Sequence, residues 1–213
     1  MGTPNASILP FIACCLSILS IILQLVALPS NYWAIIHPSN DSEAKVENGN
    51  YGIWTRYITN IPRSGDKFSA NFRLPPYSVS AGVMAIMHVL VQLAFLFAAG
   101  ISCIQALKDD PQLMLSANIL GVVKLVLSVL AIFFSLLVII FITVNENQSF
   151  QYKVYKGPAF WVQTAVMSSN VLLAFVCSLE DVEHAELESI KNIQEWPSET
   201  EVAEQYSNPS FTP

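Results

Sequence analysis

Charge is scarce in this sequence. Only 12% of its 213 residues are charged, against about 25% in an ordinary soluble domain. A soluble fold needs more polar surface than this, which argues against a soluble enzyme or a disordered chain. Basic residues are fewer still: 10 Lys and Arg face 16 Asp and Glu, for a net charge of −6. That balance excludes nucleic acid as a partner, because binding phosphate needs a basic surface. Cysteine is limited to Cys14, Cys15, Cys103 and Cys177. No nucleophile–base constellation, phosphate loop or zinc spacing occurs, and His37, His88 and His184 are scattered. Catalysis, a cofactor and a metal are therefore not expected.

What is abundant is apolar sequence, 53% of the chain. Crossing the hydrocarbon takes about 20 apolar residues in a helix. Four runs meet that length, at about 8–28, 79–104, 119–144 and 159–179, and none contains Asp or Glu. The leader Met1–Ser7 has no Lys or Arg, and no small-x-small site follows the first run. That run is therefore read as a retained helix rather than a signal peptide. Short links after the second and third runs favour antiparallel neighbours. The expected fold is an all-α membrane protein: a four-helix transmembrane bundle with a small antiparallel β-sheet in the first extracellular loop, 29–78. Residues 1–179 form the membrane domain. The acidic tail 180–213 is expected to be cytoplasmic and largely disordered, with helix-like spacing in its first half.

Orientation is contested within the sequence. Lys45, Arg56, Arg63, Lys67, Arg73, Lys153 and Lys156 flank the runs on the long-loop side, which by the positive-inside rule places that side in the cytoplasm. Two features oppose it. Asn40-Asp41-Ser42 is a glycosylation sequon with its acceptor well clear of the bilayer. All four cysteines fall toward the termini, as expected if that side is the reducing cytosol. Both termini are accordingly placed in the cytoplasm and Asn40 outside. Juxtamembrane Cys103 and Cys177 are acylation candidates, against the plainer reading that Cys is a small apolar helix residue.

Gln24, His88, Gln92, Gln163 and Asn170 lie inside the apolar runs. Polar groups there should face the bundle interior. His88 and Gln92 share a helix face at a spacing of four and could bond Gln163 or Asn170. With no acid in any span, hydrogen-bonding glue is favoured over a transport path. Lys124 is expected to snorkel to the cytosolic surface.

The long loop reads as β-rich. Tyr32–Ile36 leaves the membrane extended, Asn48-Gly49-Asn50 is turn chemistry, and Tyr51–Thr59 and Phe68–Leu74 are strand-like. Trp33 and Trp54 suit anchoring at the headgroups. Ile35, Ile53, Ile58 and Phe72 are candidates for an exposed contact patch.

Trp33 after the first run, followed by Gly52-Ile53-Trp54, on four spans with a long first loop, resembles the claudin and peripheral myelin protein superfamily, which includes calcium-channel gamma subunits. The resemblance implies a plasma-membrane protein of cell contacts that mediates adhesion or a paracellular barrier through its first extracellular loop. Its implied partners are membrane lipids, further copies of itself or related tetraspan proteins. The alternative it implies is an auxiliary subunit that modulates an ion channel or its trafficking. In that family, charges in the loop's second half line paracellular pores; here Arg56, Arg63, Lys67 and Arg73 outnumber Asp66, which would disfavour cations. A solvated face is the plainer reading. The family's two loop cysteines are missing, their places falling at Tyr57 and near Lys67. Such a bridge typically contributes about 2–4 kcal/mol, so aromatic packing or a partner must hold the sheet instead. The terminal Ser210-Phe211-Thr212-Pro213 also departs from the PDZ-binding end of many claudins.

Overall fold

The structure, a computed structural model, describes residues 8–38, 49–54, 56–58, 77–108, 116–147 and 152–194. Four helices dominate: α1 (Leu9–Ala27), α2 (Ser78–Lys108), α3 (Ala117–Asn147) and α4 (Pro158–Gln194). Each is long and apolar enough to cross a membrane. Pro10 fits the first turn of α1, and Pro29 follows its end. Pro158 occupies the first position of α4, where its missing N–H costs nothing.

Each helix buries one narrow stripe. On α1 it is Pro10, Ala13, Ser17, Ser20, Gln24 and Ala27. On α4 it includes Gln163, Val166, Asn170, Leu173, Cys177 and Glu180. The alternation of three and four is a coiled-coil seam. Its chemistry is inverted relative to a soluble bundle, with small and polar side chains inside. Phe97, Leu107, Phe175 and Val126 are more than half exposed. Large apolar residues outside and small ones at the contacts are what a lipid solvent favours. Outward hydroxyls are satisfied within their own helix. Ser168 Oγ donates to the Thr164 carbonyl at 3.0 Å, and Ser178 Oγ to that of Ala174 at 3.0 Å.

A four-stranded antiparallel sheet accompanies the bundle, in the order β3 (Arg56–Ile58), β2 (Gly49–Tyr51), β1 (Ala34–Pro38), β4 (Tyr152–Lys156). This corrects the expectation of a sheet confined to the first loop. The α3–α4 connection supplies β4, and Ala34–Pro38 pairs along its whole length with Lys156–Tyr152. Residues 49–50 belong to a strand rather than a turn, and the expected strand over 51–59 divides into β2 and β3 around Gly52. The proposed strand Phe68–Leu74, Phe72 and the sequon at Asn40 lie outside the described residues.

Helix α4 passes without a break from the fourth apolar run to Gln194, so the helix-like spacing in the first half of the acidic tail continues the fourth helix.

Two glycines hold the sheet against the bundle by letting backbones touch. A Cβ on Gly52 would collide with the Ser30 carbonyl oxygen, and one on Gly157 with that of Tyr32. Both obstacles are main chain, which yields poorly. Gly52→Ala and Gly157→Ala should therefore each lower stability in detergent by about 1–3 kcal/mol. Gly100→Ala is the control: nothing lies within 4 Å of its Cβ position. It should be neutral or stabilising by up to about 1 kcal/mol, the helix-propensity gain. Thermal unfolding of the three variants side by side checks the ranking.

Candidate functional site

The Trp33 and Gly52-Ile53-Trp54 signature forms the joint between sheet and helices. Trp33 and Ile53 are both 0% exposed. They share one apolar cluster with Ala27 of α1, Ala81 and Ala85 of α2, Val138 and Ile142 of α3, and Ala159 and Phe160 of α4. Two side chains from the sheet region thus plug the end of all four helices. The Trp33 indole Nε1 donates to the Ala27 carbonyl at 2.9 Å, so burial leaves its polar handle satisfied. This overturns headgroup anchoring for Trp33 and contact-patch exposure for Ile53. Trp54 remains 42% exposed and rests its ring edge on Gly82. Ile35 is half-buried.

The backbone at residues 31–33 stitches the strands to the start of α4. Asn50 Nδ2 donates to the Asn31 carbonyl at 3.1 Å. Ala159 N–H donates to the Tyr32 carbonyl at 3.1 Å, which satisfies an orphan donor at the start of α4. Trp33 N–H donates to Tyr51 O at 3.0 Å, and Trp33 O accepts from Gly157 N–H at 2.8 Å.

Deeper in the bundle, Asn170 is a hub. Ser17 Oγ donates to Gln92 Oε1 at 3.0 Å, and Gln92 Nε2 donates to Asn170 Oδ1 at 2.6 Å. Ser20 Oγ donates to the same Oδ1 at 2.8 Å. The Asn170 amide nitrogen lies 2.8 Å from His88 Nε2. With Asn170 Oδ1 accepting twice, its nitrogen must donate, so His88 Nε2 accepts and the ring proton is on Nδ1. The hub joins α1, α2 and α4. Gln163 stands apart: its Nε2 donates to Ser135 Oγ of α3 at 3.0 Å. Gln24 is fully buried, and its amide finds no partner among the described residues. Ser17, Ser20 and Ser135 were not singled out from sequence. Each falls on the buried stripe of its helix.

Asn170→Leu removes three bonds at once, each worth roughly 0.6 kcal/mol on average between membrane helices. It should destabilise by about 2 kcal/mol, whereas Gln163→Leu should cost less. Denaturant titration in mixed micelles measures both.

At the other end of the bundle, Lys124 of α3 bonds Glu180 of α4, and both side chains are 2% exposed. Lys124 therefore does not snorkel. Asp181 lies over Gly121 beside this pair. Between the hub and the ion pair lies an apolar layer of Ala13, Phe95, Ala99, Leu173 and Cys177. Cys177, 1% exposed, leaves no room for an acyl chain in this packing, and Cys103 is half-buried. Among the described residues no three His, Cys, Asp or Glu side chains gather as metal ligands. Chemically the described interior offers a set of hydrogen bonds and the Lys124–Glu180 charge pair, separated by that apolar layer. The sequence matches no protein-family model and no curated protein.

Proposed function

We propose that this chain is a multi-pass plasma-membrane protein of cell contacts, claudin-like in its design, which acts through the sheet at the outer end of its bundle and assembles laterally through its helices. Both termini are then cytoplasmic. One observation supports this above the others: Trp33 and Ile53 are buried among all four helices beneath a sheet drawn from both connections on that side. That joint holds a β-surface rigidly on a bundle and presents it to whatever lies beyond the membrane. The interior favours a scaffold over a transporter, because its two polar regions are parted by the layer around Phe95 and Leu173.

The test is distribution in living cells. Fluorescently tagged protein should concentrate where two expressing cells touch and stay sparse on free membrane. An even distribution over both surfaces would reject a role at contacts. Co-purification with a channel, with altered currents on depletion, would instead favour an auxiliary subunit.

A further inference from the structure

We infer that the bundle holds ordered water in its outer half, bound between Gln24, His88 and Gln163. These residues come from α1, α2 and α4, and each is 0% exposed. Each also carries polar atoms without a partner among the described residues: both amide atoms of Gln24, His88 Nδ1 and Gln163 Oε1. Such atoms are rarely left unpaired in a folded interior.

Helix pairing places them in neighbouring layers. Ser20 bonds Asn170 across antiparallel α1 and α4. Gln24, one turn outward on α1, therefore matches α4 between Val166 and Gln163. Ser17 bonds Gln92 across α1 and α2, so Gln24 matches Ala85, about one turn from His88. Small Ala81 and Ala85 occupy the α2 stripe there.

The unmet chemistry is mixed. His88 Nδ1–H and Gln24 Nε2 need acceptors, while Gln24 Oε1 and Gln163 Oε1 need donors. Water meets both demands, and a buried water typically makes about three hydrogen bonds. A larger ligand is disfavoured by enclosure. Trp33, Ile53 and Phe160 close the outer side, and Phe95 and Leu173 close the inner side.

X-ray radiolysis of the full chain in lipid nanodiscs, read by mass spectrometry, tests this directly, since hydroxyl radicals then form at bound water. His88 should be labelled although it is buried, while Phe95 in the apolar layer should not. In Gln24→Leu, labelling of His88 should fall several-fold. The same variant should unfold more easily, because it removes the water's partner. Were the layer dry, it would instead relieve an orphaned amide and unfold less easily. Unlabelled His88, equal labelling of His88 and Phe95, labelling unchanged in Gln24→Leu, or a stabilised Gln24→Leu would each overturn the proposal.

Discussion

Replacing Glu180 with leucine should be among the most damaging single changes on the helices, at a loss of about 3–5 kcal/mol. The reason is the ammonium left behind. Lys124 is 2% exposed and bonded to Glu180, so the variant leaves a buried ammonium without the carboxylate that it bonds. Lys124→Met should also be harmful, because it leaves the buried Glu180 carboxylate without the ammonium that bonds it. The double variant Lys124→Met/Glu180→Leu should recover most of the loss, since removing both charges also removes both desolvation penalties. Unfolding of the four proteins in the same detergent gives the coupling energy. Additive losses would mean that the two side chains do not depend on each other, contrary to their contact.

Trp33→Ala should be similarly severe, about 3–5 kcal/mol, the usual range for deleting a large buried aromatic. Its ring fills the sheet end of the bundle, and neighbours from all four helices line the space. Trp33→Phe keeps much of the volume but loses the bond from Nε1 to the Ala27 carbonyl. Loss of that bond alone costs about 1 kcal/mol, so phenylalanine should fall between the two. Trp161→Ala is the contrast: that side chain is 61% exposed, and its loss should barely move the unfolding midpoint in detergent. Near-UV circular dichroism and thermal unfolding distinguish the three.

The helices were plain in the sequence because a run of about 20 apolar residues leaves a polypeptide few alternatives. Their buried stripes were partly legible. His88, Gln92 and Asn170 drew notice as polar residues in apolar runs, and they do meet. Serine is short enough to pass as an ordinary helix residue, so Ser17 and Ser20 escaped. Lys124 was misjudged for a definite reason. Its partner Glu180 lies one residue past the apolar run, and apolar length alone does not show that α4 continues as one helix to Gln194. The sheet was the least legible element. Tyr152–Lys156 lies far along the chain from Ala34–Pro38, and no local pattern announces that the two will pair. Trp33 and Ile53 were noticed for their residue types and spacing. That they point into the bundle emerges only from three-dimensional packing, because aromatic side chains near a bilayer suit its headgroups equally well.

The central proposal is a bundle in the plasma membrane with its sheet outside and the α4 extension in the cytosol. Protease applied to intact cells carrying a tag after Pro213 tests it most directly. Cleavage between α1 and α2 should release a tagged fragment that spans α2 to α4, with the tag intact until the cells are permeabilised. Loss of the tag from intact cells, with the α1–α2 connection spared, would contradict that arrangement.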